Sequence, residues 1–139
     1  MNIQRVMTRD PRVCQASVPV SKAARLMLEE DVGEIPVVDT ARHVVGVITD
    51  RDIVVRCVAA GINPKDMTVE SCMTAPALTM TDDASLEDCA LLMASQQIRR
   101  VPIVDAGGAI CGIVAQADIE GTDARSLKAL VAERVSVPH

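Results

Sequence analysis

A shift of 66 residues lays residues 3–53 onto residues 69–119 without a gap, and this internal repeat limits the possible folds more than any other feature of the chain. Met7-Thr8 falls on Met73-Thr74, Leu26-Met27 on Leu92-Met93, Pro36 on Pro102, Val38-Asp39 on Val104-Asp105, Gly46 on Gly112, and Asp52-Ile53 on Asp118-Ile119. Chance does not keep register across two turns. With 139 residues in all, each copy has only about 60 residues, a size that is marginal alone, so the copies must lean on one another. The material for a core is ample: 49% of residues are apolar, 24% are charged, and mean hydropathy is +0.24.

Periodicity changes at the same places in both copies. Val20, Ala23, Ala24 and Met27, with Leu86, Cys89, Ala90 and Met93, make the i, i+3, i+4, i+7 stripe of an amphipathic helix. Ser85 with Asp88 offers a capping-box start, and Pro19 suits a first helical turn. Ile35-Pro36-Val37-Val38 and Val101-Pro102-Ile103-Val104 then predict short strands, each turning into a second strand at 44–48 and 110–114. A proline inside a strand removes a ladder donor, which predicts an edge or a bulge. Residues 50–60 have helical spacing through Ile53, Val54, Cys57 and Val58 and stop at Gly61. The expected organisation is a first repeat over 1–62, a linker over 63–68, a second repeat over 69–122, and a C-terminal amphipathic helix over 123–139 through Leu127, Leu130 and Val131.

Composition removes several function classes. A net charge of -5 is the wrong sign for gripping a phosphate backbone, and with no Phe, Tyr or Trp there is no stacking platform, so nucleic acid is excluded as a partner. Any bound base must lie against aliphatic side chains. No apolar run approaches the roughly 18 residues of a membrane span, and the first ten residues lack a signal-peptide pattern, so a cytoplasmic location is expected. The five cysteines show no CxxC pair and no adjacent His, which argues against a metal site. Cys72, Cys89 and Cys111 face Val6, Ala23 and Val45 across the repeat, as small core fillers would; a redox role for Cys14 stays open.

Two places carry chemistry. Thr49-Asp50-Arg51-Asp52 opens a helix directly after a strand. The pair Thr49 and Asp52 reads equally as a capping box and as phosphate- and ribose-binding groups at a helix start. In the second copy Ala115 replaces the hydroxyl while Asp118 persists without its capping partner, which leans toward a ribose role; the second copy also lacks one of the two expected polar contacts, so the better site is expected at Thr49 and Asp52 and the degraded one at Asp118. The second place is Arg99-Arg100 before Val101-Pro102, where the first copy has Gly33-Glu34. These arginines are either solvated or paired with acids such as Glu34, or Arg100 clamps a phosphate.

The run from xPVVD through a five-residue turn to GVITDRDI, preceded by a helix and a Met-Thr dipeptide, resembles the CBS domain, and two in tandem resemble a Bateman module. The resemblance spans about residues 3–119 and implies an α+β fold of two tandem β-α-β-β-α units related by a pseudo-twofold axis and packed through their sheets. It implies ribose contact by Asp52 and Asp118, phosphate or ribose contact by Thr49, and phosphate contact by Arg100. Ile35, Pro36, Val101, Pro102, Met7, Thr8, Met73 and Thr74 match the family's adenine-pocket walls. The implied role is a regulatory sensor for AMP, ADP, ATP or a related adenosyl ligand, with no obligatory cofactor, acting as a homodimer on an unidentified protein partner. A non-catalytic scaffold or stress-associated protein with a decayed pocket is the alternative. An enzyme is the weakest reading, because neither Thr49 nor Asp52 has a visible base or orienting third group.

Overall fold

The computed structural model describes residues 1–121; the helix expected over 123–139 lies outside them. In chain order the elements are a 3-10 turn at Ile3–Arg5, β1 (Thr8–Arg9), β2 (Cys14–Gln15), α1 (Val20–Glu30), β3 (Glu34–Val38), β4 (Val44–Thr49), α2 (Asp50–Asp52) running into a π-helix (Ile53–Val58), α3 (Val69–Cys72), β5 (Met80–Thr81), α4 (Leu86–Gln96), β6 (Arg100–Val104), β7 (Ile110–Ala115) and α5 (Gln116–Glu120). The chain forms two compact units of mixed α+β structure, and their division does not follow the sequence repeat. One unit is Arg12–Ala77; the other joins Met1–Pro11 to the described residues from Leu78 to Gly121. Each copy's leading segment, Met-Thr dipeptide included, is therefore built into the unit formed by the other copy's hairpin and helices.

The 12–77 unit holds a three-stranded sheet in the order β2-β3-β4, and the other unit a four-stranded sheet in the order β1-β7-β6-β5. The hairpins are equivalent: β3 runs antiparallel to β4 with an irregularity at Val37/Val38, and β6 runs antiparallel to β7 with one at Ile103/Val104. Both turns are built by the aspartate that follows the first strand. Asp39 Oδ1 accepts from the Ala41 and His43 N–H groups at 2.9 Å each, and Asp105 Oδ1 from Gly107 and Ala109 at 2.9 and 3.1 Å.

The prolines, expected at an edge or bulge, instead stand just before the bulge in interior strands. Pro36 lies opposite Val47, whose N–H and C=O turn away from β3 to bond Thr74 at 2.9 and 2.8 Å. Pro36 thus sits at a non-hydrogen-bonded position of the hairpin, where a missing N–H costs the β3–β4 ladder nothing. Pro102 opposite Ile113, which pairs with Thr8 of β1, repeats the arrangement.

Each unit has its own core. Val20, Ala23, Leu26 and Met27 of α1 are buried with Ile35, Val37 and Ile48 of the sheet and with Val69 and Cys72 of α3. In the other unit Leu86, Cys89, Ala90 and Met93 of α4 are buried with Val101, Ile103 and Val114 and with Ile3 and Met7 of the leading segment. The α4 stripe is the expected one; in α1 the buried position is Leu26, and Ala24 is exposed. Ser85 accepts from the Asp88 N–H at 3.1 Å as the α4 cap, while Pro19 stands one residue before α1 rather than in its first turn. Val54 and Val58, expected on an inward stripe, are 57% and 58% exposed, because the segment after Asp52 winds with i→i+5 bonds such as Ala59 N–H to Val54 O and leaves only Ile53 and Cys57 inside.

Candidate functional site

In the 12–77 unit, β4 passes directly into α2 at Thr49. Thr49 Oγ1 accepts from the Asp52 N–H at 3.0 Å, and Asp52 Oδ2 accepts from the Thr49 N–H at 3.0 Å, a complete reciprocal cap. Thr74 donates its hydroxyl to both Asp52 oxygens at 3.0 and 3.2 Å. Arg56, one turn on, lies 3.8 Å from Asp52 Oδ1 and donates to the carbonyls of Cys72 and Met73 at 3.1 and 2.6 Å. Asp52 is only 8% exposed, so its charge is satisfied almost wholly within the chain. The Met73-Thr74 segment is thereby latched across β4, and it can approach because position 46 is glycine. A Cβ there would lie 2.7 Å from the Thr74 carbonyl oxygen and 2.8 Å from Met73 Sδ.

The equivalent corner of the other unit is open. Met7 packs on Gly112, where a Cβ would lie 2.6 Å from Met7 Sδ, and Thr8 pairs with Ile113 as Thr74 does with Val47. Asp118 Oδ2 accepts from the Ala115 N–H at 2.7 Å. This bond corrects the sequence argument: Asp118 still caps its helix start without a threonine, so its persistence needs no ligand to explain it. Among the described residues the Thr8 hydroxyl makes no bond to Asp118. Position 122, equivalent to Arg56, is threonine. Asp118 is half-buried and keeps acceptor capacity to spare.

The same strand-to-helix junction carries a cleft of about 400 Å³ lined by Arg99, Arg100, Ala115, Gln116, Ala117 and Glu120, and Asp118 is not in its lining. Arg100 begins β6 opposite Ala115, and its Nε is buried with no hydrogen-bond partner among the described residues. A buried guanidinium N–H without an acceptor costs free energy until something supplies one. The corresponding corner at Gly33 is shaped differently. The Asp50 N–H bonds the Gly33 carbonyl at 2.9 Å, and the Asp50 carboxylate lies so close that a Cβ on residue 33 would be 2.9 Å from its Oδ2.

Of the expected site residues, the fold brings Thr49, Asp52, Met73 and Thr74 together in one unit and Met7, Thr8, Arg100 and Asp118 in the other. Ile35, Pro36, Val101 and Pro102 are buried strand residues beneath these corners. The sequence reading missed Arg56, although its four-residue spacing from Asp52 on a helix is the signature of an ion pair. Cys14, Cys57, Cys72 and Cys89 are buried thiols and Cys111 is partly buried; burial pushes Cys89 up to about 12, with Asp118 adding to it, and raises Cys14 and Cys72.

The chain is 36% identical over 132 residues to uncharacterized protein YlbB of Bacillus subtilis, covering 92% of this chain and 88% of that one. It is 31% identical over 119 residues to uncharacterized protein MK0525 of Methanopyrus kandleri, covering 86% of this chain but only 61% of that relative's length. Among solved structures, CBSX2 in complex with AMP superposes with a TM-score of 0.74 at 29% identity, covering 96% of this chain and 98% of that one. The CBS domain pair of protein MJ0100 in complex with 5'-methylthioadenosine and S-adenosyl-L-methionine gives 0.75 at 26% identity, covering 86% and 97%. The CBS domain family model matches twice, over residues 3–58 and 69–121, and the chain belongs to the CBS domain family.

Proposed function

We propose that the chain is a regulatory module that binds AMP, ADP, ATP or a related adenosyl ligand and signals by a change of conformation or assembly, without catalysing a reaction. The observation that carries this reading is the strand-to-helix junction that ends in Asp118, a half-buried carboxylate with spare acceptor capacity, and that also carries a cleft lined by Arg99 and Arg100. In this reading Asp118 accepts from the ribose hydroxyls, Arg100 takes the phosphate, and Val101, Pro102, Met7 and Thr8 border the base. The AMP complex of CBSX2 and the adenosyl complexes of the MJ0100 pair support the ligand class. The effect on a partner comes from unequal affinity of the ligand for two arrangements of the module, in a cytoplasmic homodimer read by a second protein.

A second reading has its own support. Thr49, Asp52, Met73 and Thr74 already satisfy one another, which suits a scaffold in which that corner, with Ile35 and Pro36 beneath it, is structural. Calorimetric titration of the purified protein with AMP, ADP, ATP and S-adenosylmethionine separates the two. The sensor reading expects saturable binding of at least one; no binding of any leaves the scaffold.

A further inference from the structure

We propose that the corner at Asp52 is held shut by the chain itself: the Thr74 hydroxyl stands on the carboxylate where a ribose hydroxyl would bind, and Arg56 is the positioning residue that keeps it there. The proposal deepens the functional reading above and rests on it for the ligand class; the clasp of Arg56, Thr74 and Asp52 stands on the geometry alone.

Thr74 is exposed, yet its hydroxyl reaches both oxygens of a carboxylate that is almost wholly buried, at 3.0 and 3.2 Å. The Thr49 N–H already occupies Oδ2. With these donors in place, a sugar diol gains only what it can displace. The threonine alone does not make the closure, because the other unit carries the same residue at the equivalent place. Thr8 pairs with Ile113 as Thr74 bridges to Val47, but among the described residues its hydroxyl makes no bond to Asp118. Nor does the exchange of Thr49 for Ala115 account for the contrast, since the Thr49 hydroxyl bonds the Asp52 N–H and not its carboxylate. What remains is Arg56, four residues beyond the aspartate. It donates to the carbonyls of Cys72 and Met73, the two residues directly before Thr74, at 3.1 and 2.6 Å, and lies 3.8 Å from Asp52 Oδ1. One guanidinium therefore fixes the leading segment beside the acceptor that its next residue bonds. The 66-residue shift puts Thr122 at that position, a side chain without charge. The closure is also reversible, because rotation about χ1 of an exposed threonine withdraws the hydroxyl without moving the strand.

The test is calorimetry with adenosine on the full chain, on wild type and in an Asp118→Asn background that weakens the open corner. Added to Asp118→Asn, Thr74→Ala and Arg56→Gln are each expected to raise adenosine affinity about 10-fold. Thr74→Ser, which keeps the hydroxyl, is expected to show no gain, and Asp52→Asn added to Thr74→Ala to cancel it. A clasp that served stability alone would not increase binding when broken. No gain in either Thr74→Ala or Arg56→Gln, or a gain that survives Asp52→Asn, would overturn the proposal. If wild type binds no adenosine while Thr74→Ala does, the reading of the open corner fails and the clasp stands. If wild type binds adenosine and neither variant gains, the clasp fails and the open corner stands.

Discussion

The corners at Asp52 and Asp118 descend from the same sequence pattern, yet one is latched and the other open. Around Asp52, a threonine cap, a second threonine and an arginine consume the carboxylate; around Asp118, one backbone N–H is the bond it makes among the described residues. The sequence differs there at four positions: Thr49 becomes Ala115, Arg56 becomes Thr122, and Gly33-Glu34 becomes Arg99-Arg100. The richer hydrogen-bonding residues close their corner by bonding one another, and the poorer set leaves Asp118 with acceptor capacity to spare. A full complement of motif residues is therefore a measure of local stability before it is a measure of ligand affinity.

The largest test of this contrast is Asp52→Ala. It strips the acceptor from the Thr49 N–H and the Thr74 hydroxyl and the counter-charge from Arg56, and should cost about 3 kcal/mol in urea unfolding. Asp118→Ala removes one capping bond and should cost about 1 kcal/mol. Equal losses would mean that the latch contributes nothing beyond the cap. Thr74→Val removes the bridging hydroxyl alone, with a cost of about 1 kcal/mol. It should also speed hydrogen exchange at the Val47 and Thr74 amides, which bond each other's carbonyls. The same amide pair being unaffected would show that Gly46 and Arg56 hold the segment without it.

The smallest effect near neutrality is the pH dependence set by the core thiols. Cys89 is raised from 9.0 to about 12 by burial, so the folded state holds the neutral thiol while the unfolded chain ionises. This contribution is flat below pH 9.0 and is lost as pH rises toward about 12. Cys89→Ala, with its wild-type equivalent Ala23 as precedent, should blunt that alkaline loss in a pH series of thermal melts.

Much of the fold was legible because the repeat let each copy vouch for the other: β-branched runs, Val-Asp turns and glycines recur at one spacing. The exchange of leading segments was not legible. Met7 and Met73 are the same residue, as are Gly46 and Gly112, so the pattern fits equally well whether a leading segment packs on its own copy or the other. The valines after Asp52 misled because helical spacing assumes i→i+4 bonding, and a π-helix turns the faces. At the site, the Thr49–Asp52 cap could be read from its spacing. The Thr74 bond to Asp52 spans 22 residues, and the contrast between a satisfied and an open aspartate depends on that tertiary contact.

The central claim is that the open corner, and not the latched one, receives the ligand. AMP titrated into Asp118→Asn and Asp52→Asn, near-isosteric changes that keep an oxygen for the capping N–H groups, tests it most directly. The account predicts that binding is weakened strongly in Asp118→Asn and retained in Asp52→Asn. Retention in Asp118→Asn with loss in Asp52→Asn would contradict it.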